Sequence, residues 1–177
     1  MDVPGSVKRG VLGCYTCELI ALAIWIGGLL VIIGSVIPAV FNSFGMEQGG
    51  RFLTRVFDGY NRLVIAAIVI LLVTGGVRLW INSRYPRAGA CVSPSEVILL
   101  GVMIASAATI IGVLGPITVK LQEEAFAIKE EIAKKAAYAA FFKTHMTVRG
   151  LYIANLMLGI VLMTVKLKSW MKMDCKL

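Results

Sequence analysis

Four apolar stretches divide the chain, and the polar or glycine-rich links between them set its organisation. They cover about residues 19–41, 63–81, 96–120 and 145–165, each near the roughly 20 residues a helix needs to cross the hydrocarbon of a bilayer. Residues 19–40 offer no polar positions at helical spacing with which a water-soluble helix would cover its outer face. The pattern predicts an all-α fold: a bundle of four transmembrane helices, with residues 1–177 forming a single integral membrane domain.

The links are distinct in kind. After Asn42 the chain is punctuated by Gly45, Gly49 and Gly50. Residues 51–62 then alternate apolar and charged groups, with Phe52, Leu53, Val56, Phe57 and Tyr60 at helical spacing. That pattern predicts a short interfacial helix between spans one and two, with an ion pair between Asp58 and Arg62 at i and i+4. Arg78, near the end of span two, is expected to snorkel toward the headgroups beside Trp80 and Tyr85. The link from Asn82 to Ser95 contains two prolines and reads as a turn region, with Ser93 or Ser95 as cap of the third span. Between spans three and four, residues 120–143 are alanine-rich and charged, and predict a helical extension carrying Glu130–Lys134 and Glu131–Lys135 pairs. No internal repeat stands out beyond a likeness between Ile37-Pro38 in the first span and Gly115-Pro116 in the third.

Composition reinforces the membrane assignment. Hydrophobic residues make up 58% of the chain and its mean hydropathy is +0.84, too apolar for a soluble domain. The formal charge of +8 lies almost wholly outside the apolar runs, which suits anionic headgroups of the surrounding lipid bilayer. Nucleic acid is excluded as a partner, because no soluble basic surface exists to carry it. The basic pair Lys8-Arg9 precedes an apolar run long enough to span and without a cleavage pattern, so it predicts a retained first helix and not a signal peptide. Four spans put both termini on one side together with the link between spans two and three. Lys and Arg divide evenly between the two sides; the closeness of Lys8-Arg9 and of the lysine-rich tail to their spans favours a cytoplasmic location for both ends.

Candidate chemistry is sparse. On the last helix His145, Arg149 and Tyr152 share a face, with Asn155 one turn beyond, and four polar groups entering a membrane need partners or a wet crevice. The start of span two lies on the same side. Asp58, Tyr60 and Arg62 are therefore expected to complete a polar cluster, with Asp58 touching Arg149 or His145, that binds a small polar ligand, an ion or a lipid headgroup; interhelical bonding alone is the plainer reading. Cys14-x-x-Cys17 has metal-ligand spacing, and Cys91 and Cys175 fall on its side, which keeps open a thiolate metal site and metal handling. Gly27, Gly34 and Gly112 leave small-residue faces on which a larger membrane complex, or a second copy in a homo-oligomer, could pack. No nucleophile triad, phosphate loop or deep carboxylate pair is present, so neither an enzyme nor a cofactor is implied.

Three stretches resemble a known family. They are Trp25-Ile26-Gly27-Gly28 leading to Ile37-Pro38-Ala39-Val40-Phe41, Gly115-Pro116-Ile117 before a charged helix, and Phe141, His145 and Asn155 on the last helix. This layout is similar to the four-helix membrane proteins typified by transmembrane protein 205, whose bacterial members are grouped as domain of unknown function 4149. Members often place Gly and Ser after the histidine, where this chain has Met146 and Thr147. The first helix is also similar to copper-resistance D type membrane proteins, but those carry more histidine and methionine, and a single His145 counts against copper transport. The resemblance implies an integral membrane bundle with His145, Arg149 and Asn155 as the candidate site.

Overall fold

A computed structural model describes residues 3–128 and 130–174 of the chain; the candidate thiol Cys175 lies outside them. The described residues form helices and their connections, without a strand. Helix α1 (Gly5–Val31) runs through a wide turn (Ile32–Val36) into α2 (Ile37–Arg84), and α3 (Pro94–Thr109) runs through a second wide turn (Ile110–Leu114) into α4 (Gly115–Ala127). Helix α5 (Glu131–Asp174) completes the chain. Among the described residues three helical runs are long and apolar enough to cross a membrane: Gly5–Arg84, Pro94–Ala127 and Ile132–Met171.

The first of these runs doubles back on itself. Gly45, with φ 70° and ψ −170°, breaks the helical geometry inside α2, in a backbone region open essentially to glycine alone. The segments on either side then pack together. The Tyr60 hydroxyl donates to the Trp25 carbonyl at 2.8 Å, and a side chain at Gly49 would meet Val40 and Phe41. Four helical arms result: residues 5–44, 46–84, 94–127 and 131–174.

The ends of these arms follow local rules. Tyr85 leaves the helix because Pro86 follows it and disfavours helical geometry. Ser93 caps α3, its hydroxyl accepting the Glu96 N–H at 3.2 Å, with Pro94 inside the first turn. Both wide turns stand just ahead of a proline. The rings of Pro38 and Pro116 would clash with the carbonyls of Gly34 and Gly112 in a regular helix; the turn instead widens by one residue, and the N–H before each proline bonds five residues back, Ile37 to Ile32 and Gly115 to Ile110.

The expected short interfacial helix is not a separate element. Residues 51–62 continue without a break into the second arm, because the apolar stripe of Leu53, Tyr60, Val64, Ala67 and Leu71 stays in phase and buried along it. The main core joins Tyr60, Val64, Ala67 and Leu71 of that stripe to Ala21, Leu22, Trp25 and Leu29 of the first arm, Met103 and Ala107 of the third and Leu162 of the fourth. Glycine allows two of the closest approaches: a side chain at Gly28 would sit 3.1 Å from the Tyr60 ring, and one at Gly159 would sit 2.9 Å from Ile26. Large apolar side chains such as Leu72, Val73, Trp80, Ile98 and Val113 face outward, a surface suited to lipid and not to water.

Gly45→Ala is expected to destabilise the fold by about 1–3 kcal/mol, the cost of forcing a side chain into this backbone region. Denaturation midpoints in detergent for the variant and wild type would measure it; equal midpoints would mean that the reversal does not depend on this conformation.

Candidate functional site

The site with the densest polar chemistry is a buried charge quartet at the end where both termini and the 85–93 link meet. Each arm contributes one member: Glu18, Arg78, Glu96 and Lys166, which are 0%, 0%, 2% and 4% exposed. The Arg78 Nη1 group donates to Glu18 Oε2 at 2.8 Å and to Glu96 Oε2 at 3.1 Å. Lys166 Nζ donates to the same two oxygens at 2.7 and 3.1 Å. Two negative and two positive charges thus close a ring with no net charge.

Surrounding groups fix the guanidinium. Arg78 Nη2 donates to the Tyr15 hydroxyl at 2.7 Å and to the Cys91 carbonyl at 2.6 Å, and its carbon lies 4.0 Å from the centre of the Tyr15 ring, a cation–π contact. Ser169 donates to Glu96 Oε1 at 3.4 Å. A small apolar cap of Val11, Tyr15, Ile81, Ala88 and Ala90, backed by Trp170, closes over the ring. Glu18 Oε1 and Arg78 Nε are buried without a partner. Arg78 therefore does not snorkel: two carboxylates at its own depth hold it inside more strongly than headgroups outside could.

The two halves of the chain build this ring in parallel. The same number of residues separates Glu18 from Glu96, Ile32 from Ile110, Ile33 from Ile111, Gly34 from Gly112 and Pro38 from Pro116. Each half is a helical hairpin whose first arm carries a glutamate, an Ile-Ile-Gly-x-x-x-Pro segment and a wide turn, and whose second arm carries the cation. That constant offset was the signal available in the sequence, and comparison of proline positions alone does not bring it out.

A second polar site lies among the arms, deeper than the expected mouth. A cavity of about 10 Å3 is lined by Trp25 of the first arm, Asn61 and Val64 of the second, Ala107, Ile110 and Ile111 of the third, and Tyr152 and Asn155 of the fourth. The Tyr152 hydroxyl donates to Asn61 Oδ1 at 3.0 Å. Asn155 is 3% exposed, and its Oδ1 has no partner.

Of the cluster expected from sequence, Tyr60, Tyr152 and Asn155 come together, with the Tyr60 and Tyr152 ring centres 6.2 Å apart. The remaining members do not join them. Asp58 pairs with Arg62 at 3.0 Å on an exposed face and makes no ion pair with Arg149 or His145, because the helical neighbour one turn away is nearer than another arm. Arg149 is exposed, and His145, also exposed, stacks on Phe141 of its own helix. Asn61, unremarked in the sequence, takes their place. Cys14 is half-buried and Cys17 and Cys91 are exposed, all as free thiols, and among the described residues no three His, Cys, Asp or Glu side chains group as a metal site would require. Added side chains at Gly27, Gly34 and Gly112 would meet open space.

The sequence profile of a domain of unknown function, DUF4149, matches residues 20–127. The match spans more than half of the chain and takes in Arg78 and Glu96, and the chain belongs to this family. No curated protein and no solved structure matches the chain.

Removing one member of a buried, hydrogen-bonded charge set leaves its partners uncompensated, at a cost of about 3–5 kcal/mol. Glu18→Gln and Glu96→Gln should each lower stability in detergent by that order. Arg78→Lys combined with Lys166→Arg, which keeps all four charges, should cost less than either. A loss below about 1 kcal/mol for both single variants, the range of surface pairs, would show that the ring does not hold the bundle.

Proposed function

We propose that this DUF4149 member is a four-span membrane protein that acts by binding and not by catalysis, holding a small polar ligand in the cavity shared by its four arms. Each arm exceeds the roughly 20 residues needed to span, and Gly45 divides the longest apolar run in two. In this arrangement the termini and the 85–93 link lie on one side, the cytoplasmic side.

The observation that carries the binding reading is Asn155. A buried amide oxygen without a partner costs about 1–3 kcal/mol, and the residue that carries it lines a cavity beside the Asn61–Tyr152 pair. A polar group left open in an apolar bundle is better accounted for by an occupant that completes it.

The topology is tested with Cys91, on the link, and with Met46→Cys, beside the reversal and highly exposed, each as the sole remaining cysteine. An impermeant maleimide should label Cys91 in inverted vesicles and Met46→Cys in intact cells. Labelling of both from one side would sink the four-span reading.

The binding reading is tested with Asn155→Leu. If the amide awaits a ligand, its removal should raise the stability of the empty protein by about 1–3 kcal/mol, the desolvation cost it relieves. If it serves the fold, stability in detergent should fall.

A further inference from the structure

The charge ring also clamps the link between the two hairpins. Residues 85–93, between the end of α2 and the start of α3, are tied to it through backbone carbonyls. The Cys91 carbonyl accepts from Arg78 Nη2 at 2.6 Å. The Tyr15 hydroxyl accepts from the same Nη2 at 2.7 Å and donates to the Gly89 carbonyl at 3.4 Å. Both attachments therefore run through one guanidinium. Between them Ala90 is 0% exposed, packed in the apolar cap with Val11, Tyr15 and Ile81. The link has little structure of its own to keep it there: its internal backbone bond among the described residues is a turn, Ala88 N–H to the Tyr85 carbonyl. A segment held by so few bonds opens locally at low cost once they are lost.

Arg78 is balanced there only while the ring sums to zero, and the two acids that balance it are not held alike. Glu96 lies in the first turn of α3, where the helix dipole favours a negative charge, and its two oxygens accept from Arg78, Lys166 and Ser169. Glu18 lies within α1, away from both ends. Its Oε2 accepts from Arg78 and Lys166, and its Oε1 has no partner. A proton can join that oxygen without displacing a hydrogen bond. The charged and titratable groups around Glu18 are Arg78 from the second arm, Glu96 from the third, Lys166 from the fourth, and Tyr15 and Cys14 on its own helix. A proton passing from water to Glu18 leaves one acid against two bases. An uncompensated buried charge costs several kcal/mol, and a long basic side chain near the end of its helix relieves it by turning outward. Of the two bases, Arg78 is the one that holds the link.

We propose that Glu18 is a proton-binding site and that its protonation releases the 85–93 link from the ring, which makes the ring an acid-operated latch at this end of the bundle.

The test places a single cysteine at the buried link position, Ala90→Cys, with the native cysteines replaced by serine, in the full chain in lipid nanodiscs. Its labelling by a maleimide is timed from about pH 7.5 to about pH 4.5, across the ordinary range of a carboxylate. Thiolate becomes scarcer as the pH falls, so rates are taken relative to the same protein carrying Cys17 alone, which is exposed. Release predicts that Ala90→Cys gains at least about tenfold on Cys17 over this range. Adding Glu18→Gln, which keeps the shape of the acid without its charge, should make labelling fast at every pH. Glu18→Gln with Lys166→Met returns the net charge to zero; it should label slowly throughout, and it serves equally if Glu18→Gln alone does not fold. A relative rate that stays flat in the Ala90→Cys protein would overturn the latch. An acid response that survives in the Glu18→Gln, Lys166→Met protein would overturn the assignment of the proton to Glu18.

Discussion

A charge cannot stand alone in an apolar bundle, and that constraint shapes this molecule more than any other. A buried charge left without its partner costs about 3–5 kcal/mol, a large share of the stability of a typical domain. Glu18, Arg78, Glu96 and Lys166 coexist in the interior because each carboxylate oxygen Oε2 accepts from both cations within 3.1 Å. The ring forms only when all four arms are in register, so it fixes the bundle more specifically than apolar contact can. Lipid is as apolar as leucine and gives little reason for one helix to prefer another.

The ring also expresses how the chain is built. Two hairpins, each with a glutamate and a widened proline turn on its first arm, face one another so that the acid of each meets the bases of both. Arg78 and Lys166 are not equivalent within it. The guanidinium has enough donors to reach Tyr15 and the Cys91 carbonyl as well, and so ties the ring to the link that closes over it. The lysine makes its two ion pairs and no further side-chain bond among the described residues. The two hairpins thus differ at the position where the link is anchored.

Away from the ring, the same two hairpins enclose a cavity with an open amide. Among the described residues each part leaves two buried side-chain atoms without partners, Glu18 Oε1 and Arg78 Nε in the ring, Asn155 Oδ1 and Ser106 Oγ away from it. The two parts differ in charge: paired ions hold the ring, whereas neutral groups line the cavity. The second wide turn lines this cavity through Ile110 and Ile111.

Much of this protein was legible in its sequence. The apolar runs, the membrane assignment, the Ser93 cap and the local Asp58–Arg62 pair follow from periodicity and nearest-neighbour chemistry, which act over one or two helical turns. Tyr152 and Asn155 could be picked out as polar groups needing partners, and the family could be recognised from the glycine and proline placements of the first and third helices together with Phe141, His145 and Asn155. What the sequence alone did not yield depends on which arms adjoin. Residues 51–62 look interfacial until the first arm is placed against them, and Arg78 looks like a snorkelling residue until two glutamates from other arms arrive at its depth. His145 looks central until its face is seen to lie outside the core. Helical pattern determines which residues of one segment share a side; only the packing of four segments decides what that side meets, because side chains distant in sequence pay no cost and gain no contact until the arms close.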